Sequence, residues 1–180
     1  RDANLGFASM RGTYLIGVYL VGTNLTDGDL SGANLQNANL TRSVVLGADL
    51  HGADLTGANL QEVNLDLTNL ENVSLRDANL GFASMRGTYL IGADLVGTNL
   101  TDGDLSGANL QNANLTGSVM IDIDLRGADL TGANLQEINL RNARLERAVL
   151  RGAKLDFADL IGAKFCNTIM PNGDTAIKDC

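Results

Sequence analysis

Aliphatic side chains recur along this chain at every fifth position. From Leu5 to Met170, all 34 positions of this series hold Leu, Met, Val or Phe. The position two before each of them holds a small or branched residue, and the position between is usually Asp or Asn. The unit is clearest in Ala53-Asp54-Leu55-Thr56-Gly57, whose five places we name the small, Asx, core, first turn and second turn positions. Such a fixed internal period is examined before any other signal.

A period of five predicts short extended segments joined by bends. In an extended backbone, residues two apart point to the same side, so the small and core positions face one way and the Asx position faces the other. The second turn position is often Gly, which tolerates unusual backbone angles at a bend. A helix is excluded, because every fifth residue advances about 140° and the core residues would spread round the whole helix surface. We expect a coil with Leu inside and Asp or Asn outside.

Thirty-four consecutive units of this kind resemble the pentapeptide repeat proteins. The resemblance covers residues 1–170 and implies an all-β fold, a right-handed quadrilateral β-helix (a solenoid) with four pentapeptides in each coil. It therefore implies about 8.5 coils that stack residue i on residue i+20. At roughly 4.8 Å between stacked strands, the rod is about 40 Å long. Residues 171–180 lose the period and are expected to form a short C-terminal cap tail.

Residues 1–75 and 76–150 are near copies that differ at 16 positions. Seventy-five residues are fifteen pentapeptides, so with four in each coil the second copy is rotated by one side of the square. Phe7 and Tyr14 are therefore not expected on the same face as Phe82 and Tyr89. We infer that the duplication supplies length rather than one shared binding face, and its natural or engineered origin stays open.

The net charge of −8 is unevenly distributed. Residues 1–140 hold 16 acidic and 6 basic residues, whereas residues 141–180 hold 7 basic and 5 acidic residues. The acidic balance argues against direct binding to nucleic-acid phosphates and suits a basic partner. The basic end is either solvated surface or a docking site for an acidic partner. No apolar run approaches the length of a membrane-spanning helix, so membrane insertion is not expected.

No combination of residues in the sequence predicts catalysis, which needs a nucleophile, a base or a metal with partners. The single histidine, His51, is expected in solvent, and the carboxylates recur simply as repeat positions. Glycine-rich phosphate loops and nine-residue calcium-binding repeats are missing from the sequence. We expect no catalytic residue, no metal site and no cofactor.

Candidate contacts with an unknown protein partner are aromatic or basic side chains at outward positions: Phe7, Tyr14, Tyr19, Phe82, Tyr89, Arg144 and Lys164. One outward column also stacks Asn39, Asn59, Asn79 and Asn99, whose amides can form a hydrogen-bond ladder.

The tail begins with Pro171-Asn172-Gly173-Asp174, a sequence typical of a turn. We expect the tail to fold over the last coil with Ile177 or Ala176 toward the core, since a bare coil end exposes strand edges.

The only two cysteines are Cys166 and Cys180. A disulfide between them would close a loop of about 15 residues, worth about 3 kcal/mol. The alternative is two free thiols in a reducing compartment.

The segment from Phe165 to Gly173, followed by a terminal Cys, also resembles the ends of pentapeptide repeat proteins from cyanobacteria and chloroplasts. That resemblance implies an oxidising compartment, the thylakoid lumen or the periplasm, although no targeting sequence is seen. The N-terminal end carries no comparable cap. We expect it either to associate end to end with another molecule or to have lost a natural cap.

Three classes of function fit this organisation to different degrees. The favoured one is a non-catalytic structural or protein-interaction rod. The second is a DNA mimic, because some members of the family resemble duplex DNA in width and charge and inhibit type II topoisomerases such as gyrase. Those members typically have a C-terminal dimerising helix, which this sequence lacks. The third, an ice- or carbohydrate-binding surface, needs a regular Thr column, and Val21, Thr41 and Gln61 break any such column.

Overall fold

The structure, a computed structural model, describes residues 2–180. They form no helix, and each pentapeptide contributes one short extended segment and one turn. Residues at the Asx positions pair in parallel with the residue twenty further on, from Asn4 with Asn24 to Val149 with Ile169. Twenty residues are four pentapeptides, so the chain winds into a solenoid in which each coil stacks on the previous one. The coil predicted from the five-residue period, and the all-β solenoid that the family resemblance implies, are confirmed.

Three backbone hydrogen bonds join each side of a coil to the next coil. At Leu55 the N–H donates to the Ser74 carbonyl at 2.8 Å, and Gly57 N–H donates to the Arg76 carbonyl at 2.8 Å. Ser74 N–H donates back to the Ala53 carbonyl at 3.0 Å. Both the N–H and the C=O of an Asx-position residue therefore point to the preceding coil.

The corners are turns that require a positive φ at the second turn position. The Ala58 N–H donates to the Leu55 carbonyl at 2.9 Å, and Gly57, the third residue of that turn, has a φ of 68°. A positive φ at this place is the mark of a type II turn and explains the frequent Gly. The same angle occurs at Leu67 (58°) and Phe82 (60°), where a side chain makes it unfavourable.

The core positions fill the interior of the coil. From Leu25 to Leu150 these side chains are at most 2% exposed, and the small positions beside them are buried too. Most buried threonine hydroxyls there are satisfied by the backbone, as when Thr68 Oγ1 donates to the Val45 carbonyl at 2.8 Å, whereas the buried hydroxyls of Thr23 and Ser43 have no partner among the described residues. At the two ends the core is less covered, and Leu5, Met10 and Leu155 are only partly buried.

The tail adds one strand along one side of the last coil. Strand β1 is Thr168–Ile169 and strand β2 is Thr175–Ala176, paired antiparallel with Thr168 opposite Ala176. Because successive residues of a strand face opposite sides, Ala176 is half-buried and Ile177 points to solvent with 73% of its surface exposed. Of the two residues expected toward the core, Ala176 is therefore the one that is partly covered and Ile177 is not.

The disulfide between Cys166 and Cys180 is present, with 4.9 Å between the two Cα atoms. That separation lies within the usual range for such bonds. It fastens the end of the tail beside the last coil, as the first of the two alternatives from the sequence predicted.

Among the described residues, none belongs to a helix with the length and apolarity that crossing a membrane requires.

Candidate interaction surface

The Asp and Asn side chains of the Asx position brace the turn that follows them. Their Oδ1 atoms accept the backbone N–H two residues later, as Asn24 does from Thr26 at 3.0 Å and Asp49 does from His51 at 3.0 Å. At several first turn positions that hold Ser or Thr, the hydroxyl donates to the same oxygen, as at Thr26 and Thr131. This local hydrogen bond is the Asx-turn arrangement. The recurring carboxylates are therefore part of the fold.

The predicted amide ladder is present at only one of its steps. Asn99 Nδ2 donates to Asn79 Oδ1 at 3.2 Å, but no such bond joins Asn39 to Asn59 or Asn59 to Asn79 among the described residues. In each of these residues the Oδ1 atom already accepts the N–H of the following turn. The sequence pattern predicts which residue recurs in the column. It does not predict that the side-chain oxygen accepts a backbone N–H of the following turn, which the structure shows.

Several carboxylates are held in the ionised form by hydrogen bonds. A hydrogen bond from the Ser31 hydroxyl, together with its N–H, lowers the pKa of Asp29. Burial alone would raise the pKa of Asp66, but hydrogen bonds from Arg86 and Ser84 outweigh it and the pKa is lowered. At Asp124, too, burial alone would raise the pKa, but hydrogen bonds from Arg126 outweigh it and the pKa is lowered. Carboxylates with lowered pKa values are poor general acids and bases near neutral pH.

No metal-binding cluster is formed by the residues that the structure describes. Within residues 2–180, no three His, Cys, Asp or Glu side chains are placed to hold a metal ion. His51 is exposed, as the sequence suggested.

The basic residues near the C-terminal end line a cavity against the tail. Arg144 lies 3.5 Å from Asp124 and 3.6 Å from Glu146, so its charge is shared between two carboxylates. Lys164, next in the same column, is exposed and forms no ion pair with any described residue. Beside them, Arg126, Arg144 and Arg147 line a cavity of about 510 Å³ whose far wall contains both bridged cysteines.

The candidate aromatic residues are exposed but occupy different sides of the coil. Phe7 and Phe82 stand at second turn positions, and Tyr14, Tyr19 and Tyr89 stand at Asx positions. No column along the axis brings them together. Around the axis, however, the first coil alone exposes Phe7, Tyr14, Tyr19 and also Ile16. Comparing residues twenty apart could not reveal this group, whereas comparing all four sides of one coil would have done so.

Comparison with known proteins agrees with this architecture. The family model for pentapeptide repeats matches in eight copies, over residues 1–37, 29–72, 68–107, 108–147 and 133–170. No curated protein matches the sequence.

Among solved structures, the chain is similar to HetL, a pentapeptide repeat protein involved in the regulation of heterocyst differentiation in the cyanobacterium Nostoc sp. The identity is 33% over 97% of this chain and 86% of HetL, with a TM-score of 0.66. QnrB1, a plasmid-mediated fluoroquinolone resistance protein, shares the fold at 16% identity over 90% of this chain and 91% of its own, with a TM-score of 0.53. The chain belongs to the pentapeptide repeat family.

Proposed function

We propose that this chain is a non-catalytic rod, a right-handed β-helix of about 8.5 coils whose outer surface binds a protein partner. One observation carries the proposal: the interior is filled, with core side chains at most 2% exposed from Leu25 to Leu150. Because the interior of the solenoid is filled, only its outer side chains are available to contact another molecule. Those side chains are braced Asp and Asn residues, ion pairs and scattered exposed aromatics, which suit binding rather than chemistry.

A DNA-mimicking inhibitor of gyrase is the second candidate, favoured by the excess of acidic residues over residues 1–140. The fold shared with QnrB1 is compatible with it. Against it, arginines interrupt the acidic surface. Arg11 pairs with Asp29 at 3.1 Å, and Arg76 pairs with Asp94 at 2.8 Å. A DNA mimic needs a continuous negative surface, because duplex DNA carries one charge about every 1.7 Å.

Two assays separate these candidates. In a gyrase supercoiling assay we expect no inhibition at any concentration of the chain, and dose-dependent inhibition would favour the mimic. In a pull-down, we expect a protein to be retained by the chain and lost with the double variant Arg144→Ser and Lys164→Ser. The control is Arg11→Ser with Arg76→Ser, which removes the same charge from the body of the rod and should leave capture intact.

We also propose that the protein resides in an oxidising compartment, the thylakoid lumen or the periplasm. Support comes from the Cys166–Cys180 disulfide, since such bonds persist where thiols are not kept reduced. Mass spectrometry of the native protein without reduction should give a mass two hydrogens below that of the dithiol. Two free thiols in freshly isolated protein would contradict this location.

A further inference from the structure

The arginines around the cavity near the tail distinguish the second copy of the duplication from the first. Residues 76–150 carry four arginines at places where residues 1–75 hold another residue. Three of the four line one cavity of about 510 Å³: Arg126, Arg144 and Arg147. Their counterparts in the first copy, in the same order, are His51, Asn69 and Asn72. The coil does not require arginine at these places, because the first copy builds it without them.

Two of these guanidinium groups keep donors for a further acceptor. The side chain of Arg147 forms no hydrogen bond or ion pair with any described residue. Arg144 lies 3.5 Å from Asp124 and 3.6 Å from Glu146 but donates no hydrogen bond to either. Arg126, in contrast, is occupied, since its Nε and Nη2 atoms donate to Asp124. The planar fork of arginine donors matches a carboxylate or a phosphate, which indicates an anionic ligand.

Glu146 supplies the opposite need in the same cavity. It lines the cavity, and its Oε2 atom is buried with no hydrogen-bond partner among the described residues. An acceptor buried without a donor is unfavourable, so such an atom indicates a group that donates to it. The other carboxylate of the wall, Asp179, already accepts the Phe165 N–H at 3.3 Å. A matching ligand therefore carries acid groups for the arginines and a hydrogen-bond donor for Glu146.

We propose that this cavity binds a small organic dicarboxylate that carries a hydroxyl group. Its acid groups pair with Arg144 and Arg147, and its hydroxyl donates to Glu146. The volume of the cavity lies in the range of small-molecule sites. Carboxylates are favoured over phosphate, because the nearby carboxylates of Glu146 and Asp179 repel two charges on one group more strongly than two separated charges.

The proposed ligand is a free small molecule, so this site goes beyond the protein-binding role of the rod. It is tested on the purified chain with its disulfide intact and with no protein partner present. Loss of the pull-down described above would therefore leave this proposal standing, and failure to bind the small acid would leave the protein-binding role standing.

Calorimetric titration of the full chain with malate tests the proposal, with Arg147→Asn as the variant and Arg141→Asn as the matched control. In the first copy Asn72 stands at the counterpart of Arg147 with a φ of 54° against 63°, so the corner accepts the substitution. Arg141, the fourth added arginine, pairs with Asp159 and does not line the cavity. We expect the chain and the control to bind malate alike, and Arg147→Asn to bind it about tenfold more weakly, through loss of one charged hydrogen-bonded pair.

Succinate has both acid groups of malate but no hydroxyl, so it tests the contact with Glu146. We expect succinate to bind the chain several-fold more weakly than malate, and Glu146→Ala to abolish this difference. Three results would overturn the proposal: no binding of malate by the chain, equal binding of malate by the chain and by Arg147→Asn, and equal affinity of the chain for the two acids.

Discussion

At the scale of single residues, the core and small positions put two side chains in five inside, and Asp or Asn at the Asx position braces a turn. Leu95 has no exposed surface, and Asn99 accepts the Thr101 N–H at 3.1 Å on the outer side. The two positions belong to consecutive pentapeptides and differ in what their loss removes. Replacing the first destroys packing, and replacing the second removes the two hydrogen bonds accepted from Thr101 and the one donated to Asn79.

We therefore expect Leu95→Asp to cost several kcal/mol, because a charge or a protonated carboxyl without partners is placed in an apolar interior. Asn99→Ala should cost less, about 1–3 kcal/mol, because each of its three partly exposed hydrogen bonds contributes about 0.5–1 kcal/mol net. Urea unfolding followed by circular dichroism measures both values. Equal losses would mean that inside and outside are reversed.

The ion pair of Asp66 and Arg86 makes stability depend on pH. Asp66 is largely buried and accepts hydrogen bonds from the Arg86 backbone N–H at 2.9 Å and from the Ser84 hydroxyl at 2.6 Å. Its pKa is lowered in the folded state, because these bonds outweigh the effect of burial. A lowered pKa stabilises the fold above the unfolded value of about 3.9, and this contribution disappears as the pH falls through the folded pKa.

We expect Asp66→Asn to lower the urea midpoint at neutral pH and to have progressively less effect as the pH falls below about 3.9 and through the lowered pKa of the folded carboxyl. Asp102→Asn is the control, because Asp102 forms no ion pair with any described residue. A difference between the chain and Asp66→Asn that does not change with pH would contradict the role of the carboxylate charge.

At the scale of the element, each corner depends on its second turn position. Gly52 has a φ of 64°, and a Cβ built there would meet no atom within 4 Å. Backbone strain is thus the only cost of a side chain at this place. One coil further on, Asn72 adopts a φ of 54° in the corresponding corner. Asn visits this region more readily than other residues with a side chain.

Gly52→Asn should therefore be nearly neutral, whereas Gly52→Val should cost about 1–2 kcal/mol, since a branched side chain is least compatible with a positive φ. Thermal and urea unfolding of the two variants provide the measurement. A destabilisation by Asn as large as that by Val would show that the corner is limited by space and not by its backbone angle.

The same elements show how far the sequence could predict the structure. The five-residue period predicted the buried positions and the bends, because these depend only on which residues repeat, whereas the twenty-residue register was implied by the resemblance to the pentapeptide repeat proteins. The partner of each Asp or Asn side chain was missed, since it is a backbone N–H that no residue pattern displays. The sequence left open which of Ala176 and Ile177 turns toward the core, because outside the repeat a single residue gives no information on which edge its strand joins.

At the scale of the whole molecule, the candidate surfaces lie at different places along the rod and on different sides of it. The copy made by residues 76–150 is turned by one side, so Phe7 and Phe82 lie in different columns, as predicted from the sequence. The basic residues and the disulfide meet at one end, and the exposed aromatics of the first coil lie at the other. The candidate surfaces are therefore distributed along a rod and are not gathered in one cleft.

The stacking of residue i on residue i+20 is the claim on which everything else depends. It is tested most directly by paired cysteines in a chain whose own two cysteines are replaced by Ser. Asn59 and Asn79 pair directly, whereas Asn59 and Ser74 lie on neighbouring sides. The account predicts that mild oxidation links Asn59→Cys with Asn79→Cys, and leaves Asn59→Cys with Ser74→Cys as free thiols. Linkage of the second pair and not the first would contradict the twenty-residue coil.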